Sequence, residues 1–209
     1  ALGIPNTPYV FLSENNNSTL ELARASLDRW GAIFIKAARQ GSSVGCHHVQ
    51  EETELLNALE GAFSYSDQVL IEQAVKPREL EVAAYEYQGV LHITKPGEVI
   101  APQDKFYSYE EKYSGSSETL TLVEATNLTV DQQELIRQSA EKVFKHMRLR
   151  HLSRIDFFLT SNGQVYLNEV NTFPGMTPIS MFPKMLQHNK HNFAEFMADC
   201  VQSSLKSKA

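Results

Sequence analysis

The hydrophobic period of this chain changes several times, and the changes divide it into short elements. Tyr9-Val10-Phe11-Leu12 reads as a strand. Beyond it, Leu20, Ala23, Leu27 and Trp30 recur at the spacing of a helix face, with Asn17-Ser18-Thr19 offering caps ahead of them. Ala32-Ile33-Phe34-Ile35-Lys36 is a buried-type strand that runs into a small-residue loop, Ala37 to Gly45. A second helix is predicted from about Thr53 to Phe63 on Leu55, Leu56, Leu59 and Phe63, and Val69-Leu70-Ile71-Glu72-Gln73 is the next strand. This alternation of strand and helix predicts a first lobe over residues 1–75.

Lys76-Pro77-Arg78 punctuates the join to a second lobe, residues 76–209. Glu79 to Tyr87 and Val90 to Thr94 read as a strand pair turned at Gln88-Gly89. Residues 95–118 hold no steady period and carry Pro96, Gly97, Pro102, Gly115 and three tyrosines, which predicts a long functional loop. Thr129-Val130-Asp131-Gln132 is a capping box that opens a helix to Met147, with Ile136, Ala140, Val143 and Met147 as its core stripe. Phe193 to Leu205 closes the chain as an amphipathic helix.

The densest signal lies between the last two helices. Two alternating, β-rich runs, Ser153 to Leu159 and Val165 to Asn171, flank Asn162-Gly163, the strongest short hairpin signal. A two-residue turn there sets Asp156 opposite Glu169 and Arg154 opposite Asn171. Residues two apart share a strand face, so the four groups converge on one patch. Opposed carboxylates repel unless a cation lies between them, and two carboxylates with an amide carbonyl are hard oxygen ligands suited to magnesium that also holds phosphates. An exposed hairpin with solvated charges is the plainer alternative. The apolar partners Ile155, Phe157, Leu167 and Val170 favour the metal reading.

Composition narrows the field. With 42% hydrophobic residues and a net charge of -6, the 209-residue chain has the make-up of an ordinary globular protein, not a general nucleic-acid or membrane surface. Cys46 and Cys200 lie far apart without metal spacing, as expected in a reducing compartment, and no signal-peptide pattern opens the chain; a cytoplasmic location is expected.

Other motifs point to phosphate chemistry. Gln40-Gly41-Ser42-Ser43-Val44-Gly45 is small enough for backbone N–H groups to approach a phosphate, although it is neither a Walker loop nor a Rossmann fingerprint. Lys36 adds a point charge just before it. Glu72 and Glu79 flank the lobe junction, where a carboxylate could take a ribose diol or remain a solvated charge. Phe106 to Tyr113 sets aromatics and Lys112 in the long loop, in the manner of a closing lid. Gly175 allows close backbone approach, and its N–H could serve a developing oxyanion. His47, His48, His188 and His191 lack ligand-spaced partners and are expected at the surface.

Ile35-Lys36 with Gly41-Ser42-Ser43-Val44-Gly45, Leu70-Ile71-Glu72 with Glu79, Phe106-Tyr107 with Glu111-Lys112-Tyr113, Arg154-Ile155-Asp156, and Asn168 to Thr177 with Ile179-Ser180-Met181 occur in one order. In that order they resemble the D-alanine–D-alanine ligase family of ATP-grasp enzymes. The resemblance implies ATP between two α+β lobes and two D-alanines joined through an acyl phosphate for peptidoglycan precursor synthesis. It implies that Lys36 holds the α/β-phosphates, Glu72 the adenine amine and Glu79 the ribose, with the backbone of Ala74 and Val75 framing the adenine. Asp156, Glu169 and Asn171 would hold two Mg2+ (or Mn2+) ions and Lys112 the γ-phosphate. Arg154 and the Gly175 N–H would stabilise the tetrahedral intermediate. Ser180 and Met181 would receive the second D-alanine's carboxylate, and Ser42 and Tyr113 would order the lid and the first substrate.

The family's N-terminal domain, which supplies a glutamate for the first substrate's ammonium, has no counterpart here, so the chain is expected to be the ATP-grasp portion and to need that domain as a partner. Alternatives are a non-catalytic ATP-binding module, or a ligase of related specificity such as D-alanine–D-lactate, against which Tyr113 argues. Nucleic-acid and membrane partners are not expected, and homodimerisation is left open.

Overall fold

The structure is a computed structural model that describes residues 2–101 and 119–206. The chain forms two compact units. One is built on Asn6–Lys76; the other contains Pro77–Ile100, the residues from Leu120 onward, and the N-terminal residues up to Pro5. Residues 2–5 therefore leave the expected first lobe. Leu2 and Ile4 pack on the core of the second unit, and the Pro5 carbonyl accepts from Leu167 N–H at 2.8 Å.

In the Asn6–Lys76 unit, β1 (Tyr9–Leu12), β2 (Ile33–Ala37), β3 (Cys46–Val49) and β4 (Val69–Gln73) form an antiparallel sheet in the order β1-β4-β2-β3. Alternation sends Ile33, Ile35, Val69 and Ile71 to one face. There they meet Ala23 and Leu27 of α1 (Asn17–Trp30) and Leu55, Ala58, Leu59 and Ala62 of α2 (Leu55–Tyr65). Asn16 caps α1, one residue ahead of the expected caps, and Gly31 ends it in the left-handed region with its N–H on Leu27 O. β3 was not expected, because Cys-His-His-Val alternates too weakly to read as a strand.

In the second unit, an antiparallel sheet runs β10-β9-β5-β7-β8, with β6 also paired to β5. The strands are β5 (Arg78–Tyr87), β6 (Val90–Ile93), β7 (Gly97–Ile100), β8 (Leu120–Leu122), β9 (Leu152–Leu159) and β10 (Val165–Asn171). Gln88 and Gly89 both take positive φ, the signature of the type I′ hairpin between β5 and β6. Leu80, Val82, Ile155 and Phe157 point to α3 (Val130–His146), which opens on the expected Thr129–Gln132 capping box. On the other face, α4 (Met181–His188) and α5 (Phe193–Lys206) cover only one end, packing Met181, Phe182, Met185 and Phe196 on Ala83, Tyr85 and Leu152.

The expected loop 95–118 starts too early, for Gly97–Ile100 is a strand of the sheet. Pro96 and Gly97 hid it as turn residues. Gly97 is required by crowding, since a Cβ there would lie 2.4 Å from Met181 Cε and 2.8 Å from Leu122 O. Arg78 locks β7 in place with two 2.7 Å hydrogen bonds to the buried carboxylate of Glu98.

The β9–β10 hairpin reaches the expected pairing by an unexpected route. Gly163 N–H donates to Thr160 O and Thr160 N–H to Gln164 O, so the loop has three residues, with only Gly163 at positive φ. That loop pairs Leu159 with Val165 and Phe157 with Leu167, one residue out from the two-residue expectation. A bulge at Asn168 then absorbs the difference, and Asp156 faces Glu169 while Arg154 faces Asn171.

Candidate nucleotide and metal site

The polar cluster occupies the part of the β5–β9–β10 face that α4 and α5 leave uncovered. Asp156 lies on β9 between Glu81 of β5 and Glu169 of β10, and Arg154 lies between Ala83 and Asn171. Asp156 is buried, 7% exposed, and Glu169 is exposed. Arg154 donates to Asp156 through Nε to Oδ1 and through Nη2 to Oδ2, each at 2.8 Å. Asn171 Nδ2 bridges the two carboxylates, 3.0 Å from Asp156 Oδ2 and 3.2 Å from Glu169 Oε1. The four residues singled out from the sequence are therefore in one place. The metal alternative is chemically sound for them: two hard carboxylates and an amide that, rotated about its last bond, offers its oxygen at the same spot. Among the described residues no cluster of three or more Asp, Glu, His or Cys is arranged to enclose a metal, so an ion here would need further oxygens from a ligand such as a phosphate.

Sequence reasoning missed Glu81. It is 9% exposed, its Oε1 lies 3.3 Å from Arg154 Nη2, and its Oε2 is buried without a hydrogen-bond partner. Burial, then the charge of Asp156, pushes its carboxyl up to about 8. Burial likewise raises Asp156, to about 6, against the pull of Arg154. The signal was present: Glu79 and Glu81 are two apart on a strand whose other face is Leu80 and Val82, so both must join the polar side.

The Asn6–Lys76 unit holds its own pair. Lys36 Nζ donates to Glu72 Oε2 at 2.5 Å across β2 and β4, on the face away from the helices, and lies 5.6 Å from the centroid of the Phe34 ring. Ala74 N–H donates to Ala32 O at 3.0 Å, so that donor is already used within the unit. The loop between β2 and β3 closes on itself, Ala37 N–H to Gly45 O at 2.9 Å and Val44 N–H to Gly41 O at 3.1 Å. It places Ser42 and Ser43 at φ of 54° and 64°, a conformation non-glycine residues seldom hold without a local reason.

Further along the second unit, Ser180 Oγ and Thr177 Oγ1 lie 2.8 Å apart at the start of α4, and Ser180 N–H donates to Thr177 O at 2.9 Å. Gly175 is pressed on this corner, for a Cβ would sit 2.7 Å from Ser180 Oγ. Ser180 makes no side-chain cap, so the first N–H groups of α4 remain for an anion. The Met181 side chain belongs to the core, 4% exposed and packed with Tyr85 and Phe182. Glu79 stands on β5 between Val99 and Phe158. Lys112 and Tyr113 lie outside the described residues.

The histidines expected at the surface are not all there. His191 Nδ1 is 2.8 Å from the hydroxyl of the fully buried Tyr85, and His47 carries a buried Nε2.

Comparison with known proteins agrees over the whole chain. The family profile described as D-ala D-ala ligase C-terminus matches residues 1–202. A D-alanine--D-alanine ligase of Vibrio cholerae serotype O1 is 65% identical over 204 residues, which cover 98% of this chain and 62% of the relative. The crystal structure titled D-alanyl-alanine synthetase A from Vibrio cholerae O1 biovar eltor superposes with a TM-score of 0.91 at 64% identity, covering 98% of this chain and 61% of that one. The D-alanine-D-alanine ligase of Aeromonas hydrophila gives 0.75 at 46% identity, covering 96% and 59%. The chain thus spans about 62% of the length of the relatives it matches. With the profile match, the 65% identity and the shared α+β fold, it belongs to the D-alanine–D-alanine ligase family through that family's C-terminal region.

Proposed function

We propose that this chain is the nucleotide- and metal-binding part of an ATP-dependent ligase that joins two D-alanines for peptidoglycan precursor synthesis. The observation that carries the reading is the group of Asp156, Glu169, Asn171 and Arg154 on one sheet face, in a chain of this family. In this reading the Asn6–Lys76 unit and the unit built on residues 77–100 and those from 120 onward are the two ATP-grasp lobes, and the lid is drawn from the stretch after Ile100.

Lys36 holds the α/β-phosphates, and Glu72, which shares Lys36 through Oε2, keeps Oε1 for the adenine amine. The Ala74 carbonyl and the Val75 backbone frame the base, and Glu79 takes the ribose. Asp156, Glu169 and Asn171 would hold magnesium (or manganese), two ions in all, and the metal would supply charge neutralisation to the phosphates. The first D-alanine carboxylate attacks the γ-phosphorus and ADP leaves, giving an acyl phosphate. The amine of the second D-alanine, having lost a proton, attacks the acyl carbon, and inorganic phosphate is expelled. Arg154 and the Gly175 N–H offset charge on the tetrahedral oxygen, while Lys112 holds the transferred phosphate. Ser180, the Met181 backbone and the open N-terminus of α4 take the second carboxylate. Ser42 and Tyr113 order the lid and the first substrate. Positioning and electrostatics do nearly all the work, since no protein group becomes covalently bound.

Calorimetric titration of ATP with and without magnesium tests the binding half. Magnesium-dependent affinity that falls at least about tenfold in Lys36→Met supports the reading; wild-type affinity in that variant removes Lys36 from it. Chromatographic detection of D-alanyl-D-alanine, with the relatives' N-terminal region present in the same polypeptide, tests the chemical half; no dipeptide under those conditions would refute it.

A further inference from the structure

Two carboxylates of unequal hold compete for Arg154. Asp156 takes Nε and Nη2 at 2.8 Å, while Glu81 reaches only Nη2, at 3.3 Å, and keeps Oε2 buried without a hydrogen-bond partner. A guanidinium has five donors in a rigid fork that suits a carboxylate through both oxygens. Glu81 is thus half of a fork pair whose other half is not made. Its place on β5, directly across from Asp156 and two residues from Ala83, which faces Arg154, puts it within reach of the same guanidinium from the opposite strand.

Asp156 cannot serve Arg154 and a cation equally. An oxygen lone pair given to a metal is lost to the guanidinium, and the ion repels the neighbouring positive charge. Without a second acceptor, Arg154 would either hold Asp156 back from the metal or swing away from its position. We propose that Glu81 is the positioning residue for Arg154: when Asp156 turns to the metal, the guanidinium passes from Asp156 to Glu81, which takes it through both oxygens. The proposal rests on the metal reading of Asp156. It gives the buried, half-used carboxylate a task that neither a metal ligand nor a core residue performs.

The test follows the side chain itself, in the isotope-labelled chain with ADP as nucleotide. The Arg154 Nε–H resonance is identified by its loss in Arg154→Lys. Adding magnesium and ADP to the wild type should shift that resonance while its exchange with solvent stays slow. In Glu81→Gln the same addition should speed exchange at least about tenfold, because the amide stays neutral, whereas Glu81 gives up its proton to solvent and takes the arriving guanidinium as a carboxylate through both oxygens. In parallel, magnesium affinity at saturating ADP should weaken at least about tenfold in Glu81→Gln, and by clearly less in an Arg154→Met background, where no guanidinium competes for Asp156. An unmoved wild-type resonance would overturn the exchange, and so would unchanged Arg154 protection in Glu81→Gln. Equal weakening in both backgrounds would make Glu81 a direct ligand and overturn it too. ADP binding indifferent to magnesium in the wild type would bring down the metal reading itself, and the proposal with it.

Discussion

Asp156 and Glu169 offer the same chemistry to a metal but sit in opposite surroundings, so their alanine variants should part company in stability. Asp156 accepts three hydrogen bonds, two from Arg154 at 2.8 Å and one from Asn171 at 3.0 Å, and is 7% exposed. Removing one partner of a buried pair costs about 3–5 kcal/mol when the other charge is stranded. Here Arg154 would not be stranded, since Glu81 Oε1 lies 3.3 Å away, and Asp156→Ala also relieves repulsion by Glu81 and Glu169. These reduce the expected loss to about 1–3 kcal/mol. Glu169 is exposed and accepts the 3.2 Å bond from Asn171, so Glu169→Ala should cost no more than about 0.5 kcal/mol.

For a chain of this size, about 1–3 kcal/mol means a melting point lower by roughly 2–12 °C, while Glu169→Ala should melt within about 2 °C of the wild type. Each variant should lose about 100-fold of the magnesium-dependent part of ADP affinity, close to 2.7 kcal/mol, because each removes one hard oxygen from the same ion. Thermal denaturation and calorimetric titration with and without magnesium measure the two effects on one sample. Equal melting of both variants would refute the burial argument, and wild-type magnesium dependence in either would remove that residue from the metal set.

Two further outcomes follow from the same sheet. Glu81 titrates near 8 against an ordinary 4.5, so its contribution to stability is full below about 4.5 and is lost as pH rises through about 8, with Asp156 acting in the same direction at lower pH. The metal-free protein should therefore melt lower at pH 9 than at pH 6, by up to about 1.4 kcal/mol per pH unit for the group, and Glu81→Gln should flatten the profile; a wild-type profile already flat would contradict this. Arg78→Met should leave Glu98, 6% exposed, without its two 2.7 Å bonds and cost roughly 2–4 kcal/mol in urea unfolding, after allowance for the partial exposure of Arg78. Arg78→Met/Glu98→Met should recover most of the loss, and a single variant within 1 kcal/mol of wild type would show the pair idle.

The elements with strong periods were legible from the sequence, and the failures have physical causes. α3 carried both a capping box and an apolar stripe, and β5–β6 carried a turn dipeptide that takes positive φ at both positions. β3 and β7 were lost because they are short and lie beside turn residues, and what makes them strands is the neighbour each pairs with. The hairpin is more instructive. A two-residue turn and no bulge, or a three-residue turn and one bulge, give the same partners for Asp156 and Arg154. The predicted contact was met while the turn behind it was wrong, because period-two patterning fixes which face a residue takes and says nothing of where an inserted residue is absorbed. Met181 shows the converse: a position the resemblance assigns to substrate has a side chain spent on the core.

Some departures from local rules coincide with the candidate site, while others, such as the left-handed Asn127 and Arg148 and the start of α2 without a side-chain cap, do not. The bulge at Asn168, the unpartnered Glu81 oxygen, the left-handed Ser42 and Ser43, and the α4 terminus without a side-chain cap all fall on residues or segments assigned to nucleotide, metal or substrate. By contrast α1 and α3, which only cover sheet, are capped by side chains at their N-termini. Strain and unmet polar groups persist where the surrounding fold holds them in place and where a ligand would use them. The bulge is the clearest case. Without it Asn168, not Glu169, would stand on the face of Asp156, and the second carboxylate would point at α3. Slipping the residues after Leu167 by one place would relieve that irregularity and turn Glu169 to the α3 face, whereas deleting Asn168 removes the inserted residue itself, so that variant should keep a regular hairpin with Glu169 still across from Asp156 and with magnesium-dependent ADP affinity retained.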